Sequence, residues 1–345
     1  MILAFLTFLV LTWLLAGYLG VSQNLRMIYV FISLIVVLVT LLLIPETNSF
    51  SVSMGGWAPL ATVSFILGGT FFFRFFIKVL RNKSHDINRA DVKESNEFSN
   101  HELERYSRHI ILKELGGLGQ QRIKNSSVLI IGAGGLGAPV IQYLAASGVG
   151  TIGIIDHDKV SLSNLQRQVI FPTKKVGEQK VFSAVDAIHK LNSNVNVRPY
   201  NRRLNSDIAE EIFSEYDVII DGTDNFETRY ISNAAANVTK KYLVSGALGQ
   251  WEGQVSVFAP HKGAPCYACV FPTPPKEGLA LTCSEGGVFS PLSGVIGSVM
   301  AVETLKILSQ SGNTLLGQMF IYDGLRGESR KIKIKPNKKC PVCSI

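Results

Sequence analysis

The stretch Ser127-Val128-Leu129-Ile130-Ile131-Gly132-Ala133-Gly134-Gly135-Leu136-Gly137 decides the fold. A mostly apolar run ends in a glycine-rich turn, and Leu136 to Ser147 then carries a helical pattern. A buried strand that passes through G-x-G-x-x-G into a helix is built to receive phosphate. Gly132 allows the tight turn, Gly134 and Gly135 let the backbone approach an anion, and Gly137 permits close helix–strand packing. The helix start adds free N–H groups and the positive end of its dipole. Thr151 to Ile155 is a second buried strand, and Asp156, 19 residues after Gly137, stands where a carboxylate accepts hydrogen bonds from ribose hydroxyls. The pattern predicts a nucleotide site; the alternative is a set of glycines that serve packing alone.

Outward from this unit, strands and helices alternate. His101 to Leu115 reads as a helix with Arg105 and Arg108 on it, followed by a Gly116–Gly119 joint. Gly177 to Leu191, Asp207 to Glu215 and Phe226 to Lys240 read as helices; Val195 to Pro199, Asp217 to Ile220 and Tyr242 to Ser245 read as strands. Residues 253–258 and 318–334 read as added antiparallel strands, and Ser293 to Ser309 as a long helix rich in small residues. This order predicts an α/β, Rossmann-like, doubly wound, mostly parallel sheet covered on both faces.

The 345 residues have two compositions. Residues 1–80 contain four charges, Arg26, Glu46, Arg74 and Lys78, and the other 56 of 60 lie beyond them. Apolar runs at Met1–Gln23, Met27–Pro45 and Gly56–Phe73 each approach the roughly 20 residues that cross a bilayer. The expectation is a three-span transmembrane anchor at residues 1–83, a polar linker at 84–100 and a soluble domain at 101–345. No Lys or Arg precedes the first run and two more runs follow, which weighs against a cleaved signal peptide. Basic residues flank the first connection and the end of the third run, so the positive-inside rule places the soluble domain on the cytoplasmic side of a multi-pass membrane protein. No charge sits in mid-span, which argues against an ion pathway.

The net charge of +8 is concentrated near the C-terminus, where residues 326–339 carry Arg326, Arg330, Lys331, Lys333, Lys335, Lys338 and Lys339 against Glu328. The alternation in Lys331-Ile332-Lys333-Ile334-Lys335 reads as an exposed strand with one solvated face. Without interleaved aromatics the segment does not read as a nucleic-acid surface; anionic lipid or an acidic protein suits it better.

The glycine pattern alone also serves NAD, so an NAD-dependent oxidoreductase is a competing reading. Against it, Asp158 to Gln168 puts polar groups and Arg167 after the second strand, and Lys180 follows on the next helix. Two cations there suit a phosphate chain richer in charge than a pyrophosphate bridge, and no acid/base pair for hydride transfer or Ser-His-Asp set is evident. His157 and His189 read as structural or exposed.

Arg105-Tyr106-Ser107-Arg108, the GAGGLG turn, Asp156-His157-Asp158, Ser163-Asn164-Leu165-Gln166-Arg167-Gln168, Lys180 and Asp224-Asn225 occur in an order and spacing that resembles the MoeB/ThiF/HesA family, bacterial relatives of ubiquitin-activating enzymes. The resemblance covers about residues 101–345 and looks nearest to the molybdopterin-synthase branch. It implies an enzyme that binds ATP and adenylylates the C-terminal glycine of a small ubiquitin-like sulfur carrier. It also implies residue roles: the glycine turn with Gly135 on the phosphates, Asp156 on ribose, and, on the phosphate chain, Asn164 and Arg167 of the Ser163–Arg167 segment together with Lys180. Asp224 would hold Mg²⁺ with Asn225 beside it, and Arg108 would reach the partner subunit's ATP in a homodimer. A non-catalytic membrane scaffold that recruits the carrier is a third reading; it requires loss of a phosphate-gripping residue, and none is lost. Some relatives carry a C-terminal rhodanese domain, whereas this sequence runs to Ile345, so the expectation is sulfur supplied by another protein.

Cys266-Tyr267-Ala268-Cys269 and Cys340-Pro341-Val342-Cys343 form two C-x-x-C pairs. Four thiolates make a closed, tetrahedral, structural zinc site, although the long separation leaves redox thiols open; the family resemblance implies zinc. Cys283, in Leu281-Thr282-Cys283-Ser284-Glu285, is the fifth. The resemblance admits a thioester or acyl-disulfide role for it; a plain unreactive thiol is the other reading.

Overall fold

The computed structural model describes residues 98–274 and 286–344. The chain divides into two units, 1–96 and 97–345, and the described residues belong to the second. The expected three-span anchor and Cys283 lie outside the described residues.

The glycine-turn strand, β1 (Ser127–Ile131), sits at the centre of an eight-stranded sheet. It pairs in parallel with β2 (Thr151–Ile155) on one side and β4 (Val218–Asp221) on the other. Parallel pairing continues to β3 (Asn196–Tyr200) and β5 (Tyr242–Leu248). The strands β6 (Glu252–Phe258), β7 (Gln318–Asp323) and β8 (Glu328–Lys333) then add antiparallel, giving the order β3-β2-β1-β4-β5-β6-β7-β8. The expected doubly wound sheet with antiparallel additions is thus observed. Strand order reverses between β1 and β4, and in such sheets ligands bind outside the carboxyl ends at that switch point. In register there are Ile131, Ile155, Asp221 and Ser245.

Continuous apolar runs in β1, β2 and β4 are explained by burial on both faces. Val128, Ile130, Ile152, Ile154 and Ile220 point to one core, shared with α3 (Gly137–Ala146), α4 (Lys180–Leu191) and α8 (Ser290–Ser309). Leu129, Ile131 and Ile219 point to the other, shared with α5 (Ser206–Ser214) and α6 (Phe226–Val238). Each such side chain contributes about 1.5–3 kcal/mol by leaving water.

At the entrance to the domain, α1 (Asn100–Ile110) begins with a capping box in which Ser99 and Glu102 satisfy each other's backbone N–H groups. The helix ends earlier than the sequence pattern predicts. The Gly116–Gly119 joint is not a joint either: it opens a helix, α2 (Gly116–Lys124). Glycine costs about 1 kcal/mol in a helix interior, but tertiary packing overrides it here. Gly119 is buried beside Ser309 of α8, Ile123 is fully buried, and the buried Gln120 side chain donates to the Ser147 carbonyl.

The 318–334 stretch is two strands with a turn at Gly324–Gly327, and β8 is exposed along its whole length, on both faces rather than the expected one. Lysines on such an edge discourage pairing with other chains. Among the described residues only α8 is long and apolar enough to cross a membrane, and more than half of it is buried inside the domain as a core helix.

Candidate active site

The turn after β1 is held by geometry that only glycine accepts. Gly132 has φ +89°, and a Cβ on Gly137 would lie 2.0 Å from the Gly132 carbonyl oxygen. Asp156 fastens this turn to the end of β2: its Oδ2 accepts from Ala133 N–H at 2.8 Å, and its Oδ1 accepts from Asp158 N–H at 2.8 Å. Each carboxylate oxygen keeps a further lone pair for a hydroxyl donor.

Asp158 continues the chain of contacts. Its Oδ2 lies 2.8 Å from Lys180 Nζ, while its carbonyl accepts from Lys180 N–H at 3.0 Å. Lys180, the first residue of α4, is 4% exposed. Partial burial alone would raise the Asp158 carboxyl, but the Lys180 ammonium carries it below the usual carboxylate range. The sequence pattern singled out Lys180 and not the partner that holds it. The signal was present, since Asp156 and Asp158 stand two residues apart beyond a strand end.

The Ser163–Arg167 segment forms a 3₁₀ turn and its exit. Arg167 donates to Asn164 Oδ1 at 3.0 Å, so Asn164 orients the guanidinium. A Cβ on Gly135 would meet both Arg167 Cδ and Ser293 Cβ at 3.3 Å. The stem of Arg167 and the first turn of α8 therefore flank the phosphate turn. Ser163 and Gln166 are exposed and Leu165 is half-buried against the core; the Gln166 carbonyl accepts from Ser290 Oγ. Gln168 is buried with its Oε1 lacking a partner among the described residues. The contribution of α8, more than 120 residues away in sequence, had no local signal.

The loop after β4 closes the far side, where Thr223 Cγ2 lies 3.5 Å from the place a Cβ on Gly132 would take. Asp224 is exposed on this loop and makes no hydrogen bond or ion pair among the described residues. An unpaired carboxylate on a loop that abuts the phosphate turn is a donor suited to Mg²⁺, which takes one or two carboxylates and completes its shell with phosphate and water. The Asn225 side chain accepts from Thr228 N–H at 2.9 Å and caps α6, so its oxygen already has a structural task. Contacts thus link the Gly132–Gly137 turn to Asp156, to Arg167 with Asn164 and to the Thr223 loop, and link Lys180 to Asp156 through Asp158. Arg108 is exposed on α1 and forms no hydrogen bond or ion pair among the described residues.

The four cysteines of the two C-x-x-C pairs also converge. Their sulfurs lie within 4.8 Å of one another, with 3.5 Å between Cys266 and Cys340, 3.4 Å between Cys269 and Cys343 and 3.8 Å between Cys266 and Cys269. Zn–S bonds of about 2.3 Å place tetrahedral sulfurs about 3.8 Å apart, so the donor set fits zinc. Burial pushes the Cys266 thiol up, whereas Cys340, despite burial, is brought down to about 7 by backbone donors at Cys343 and Val342. Asn233 Nδ2 lies 3.7 Å from Cys266 Sγ, and Asn237 Nδ2 donates to the Val342 carbonyl at 3.0 Å, tying the cluster to α6.

The ThiF family profile matches residues 106–342. A sulfur carrier protein adenylyltransferase of Thermus thermophilus is 47% identical over 246 residues, 70% of this chain and 91% of that protein. An adenylyltransferase and sulfurtransferase MOCS3 of Culex quinquefasciatus is 45% identical over 247 residues, 71% of this chain and 56% of that one, so the chain spans just over half of this longer relative. Among solved structures, E. coli MccB with MccA-N7isoASN shares the fold, with a TM-score of 0.63 at 23% identity over 73% of this chain and 77% of that one.

Proposed function

Since the chain belongs to the ThiF family, we propose that it is an ATP-dependent adenylyltransferase acting on the C-terminal glycine of a small ubiquitin-like sulfur carrier. The observation that supports this reading best is a glycine turn flanked by the stem of Arg167 and tied, through Asp156 and Asp158, to the Lys180 ammonium. A carboxylate and a triphosphate repel each other. Catalysis therefore consists of neutralising charge and aligning reactants rather than moving a proton.

The carrier carboxylate oxygen attacks the α-phosphorus, the bond from that phosphorus to its bridging oxygen breaks, and pyrophosphate leaves with the electron pair. Backbone N–H groups of Gly134 and Gly135 face the phosphates, and Asp156 holds the ribose. Asn164 aims Arg167, and Lys180 turns from Asp158 to the phosphate chain or bridges the two. Ser163, Leu165 and Gln166 shape the segment that presents these groups. When bound, Mg²⁺ supplies further neutralisation of the leaving group, and Asp224, with Asn225 fixing its loop, is the residue that would hold it. Cys266, Cys269, Cys340 and Cys343 would hold a structural zinc that pins the C-terminal segment to α6.

Arg108 completes the site in a homodimer, reaching the partner's nucleotide. Exposed Ile111, Leu112, Leu118 and Val169, and a cleft of about 320 Å³ lined by Ile141, Ile170, Ile188 and Leu191, support an apolar interface. Residues 1–83 anchor the enzyme as a multi-pass membrane protein with its catalytic domain on the cytoplasmic side. Cys283 is the candidate for a covalent carrier adduct after adenylylation. ATP–pyrophosphate exchange with a panel of ubiquitin-like carriers tests the reading: exchange with one of them supports it, and nucleotide binding without exchange on any of them refutes it.

A further inference from the structure

Arg229 lies on α6, facing the back of the Asp224 loop, and is 5% exposed. Among the described residues it forms no ion pair. Its guanidinium instead spends its donors on neutral oxygens: Ser245 Oγ at 3.0 Å, the Gly246 carbonyl at 2.7 Å and the Thr223 carbonyl. The first two belong to β5 and the third to the loop between Asp221 and Asp224. A buried cation without a carboxylate is costly. What it provides is a rigid fork that bonds two chain segments at once, which no neutral side chain and no lysine reproduces.

The same loop is held from its other end. Asp221, 1% exposed, accepts from Thr223 N–H at 3.0 Å and from Thr223 Oγ1 at 2.6 Å. Asn225 caps α6 just beyond. Asp224 itself has no side-chain partner among the described residues, so its position next to Thr223, which packs on Gly132, is set by this backbone alone. We propose that Arg229 is a positioning residue for the metal-bound nucleotide: by tying the Thr223 carbonyl to Ser245 and Gly246 of β5, it fixes the loop that presents Asp224 to the ion on the phosphates. This rests on the reading of Asp224 given above.

The test separates metal coupling from folding. ATP affinity of the full-length protein is measured with saturating Mg²⁺ and again in excess chelator, for the wild type, Arg229→Gln and Arg229→Lys, beside thermal unfolding. In the wild type Mg²⁺ tightens ATP binding. In Arg229→Gln that tightening falls by at least about fivefold, the low end of a typical coupling between sites, while affinity in chelator stays within about twofold. Arg229→Lys, which keeps the charge and loses the fork, lies between them. A folded Arg229→Gln with wild-type tightening overturns the proposal and leaves the adenylyltransferase reading intact. If the Gln variant does not fold, the Lys variant decides by the same criterion. A wild type whose ATP affinity ignores Mg²⁺ overturns the proposal together with the Asp224 assignment.

Discussion

Replacing Lys180 by Met keeps most of the buried stem and removes the ammonium. The lost group is 4% exposed and holds Asp158 at 2.8 Å. Asp158 is 53% exposed at its side chain, so water takes over the orphaned carboxylate and folding loses at most about 1 kcal/mol. The effect on nucleotide is larger. A charge-assisted hydrogen bond to a phosphate oxygen is worth about 1.5–3 kcal/mol, so ATP affinity falls about 10- to 150-fold. AMP lacks the outer phosphates, and its affinity changes by less than about threefold if Lys180 serves the chain beyond the α-phosphate. Calorimetric titration of both nucleotides reads the ratio directly. Equal losses for ATP and AMP, or no loss for either, would refute the assignment of Lys180 to the phosphate chain. The partner carries its own signature. Because Lys180 lowers the Asp158 carboxyl, the pair stabilises the fold above the unfolded carboxylate value, and that contribution disappears as pH falls through the lowered folded value. Asp158→Asn removes this acid-side dependence of Tm.

Two further outcomes rest on the geometry and a third on the sequence. Gly137→Ala forces a Cβ to within 2.0 Å of the Gly132 carbonyl, so the turn must open; ATP and AMP binding are lost together, and unfolding shows a cost of at least about 1–3 kcal/mol. Cys340→Ser removes a donor from the cysteine cluster; bound zinc, measured by elemental analysis, falls, and if the metal contributes about 3 kcal/mol the Tm drops by about 6–12 °C. Cys283→Ala leaves ATP–pyrophosphate exchange at the wild-type rate and abolishes any covalent carrier–enzyme adduct seen on non-reducing gels; loss of exchange would contradict a division between adenylylation and transfer.

The central strands were legible because burial on both faces leaves an unbroken apolar run with glycine at its end: 127–131 and 151–155 coincide with β1 and β2. The second helix was not, because Gly116, Gly117 and Gly119 oppose helix locally and only the buried contacts of Gly119, Gln120 and Ile123 hold it. Likewise the site divides by range. Arg167 and Lys180 follow the second strand within one βαβ unit and announce themselves by charge. Asp158 gains its meaning only from Lys180, and Ser290 and Ser293 reach the site from α8, where no spacing in the chain points to them. Arg229 stands close to Asp224 in sequence, but its bonds to Ser245 and Gly246 of β5 leave no local mark.

The proposed reaction passes through a mixed anhydride between a carrier's terminal glycine and AMP. Intact-mass analysis of a ubiquitin-like carrier incubated with the enzyme, ATP and Mg²⁺, with pyrophosphatase present, measures it without an intermediary assay. A carrier heavier by one AMP residue, and unmodified when its terminal glycine is removed, is the predicted result. A carrier that stays unmodified while the enzyme binds ATP, across the carriers tried, would contradict it.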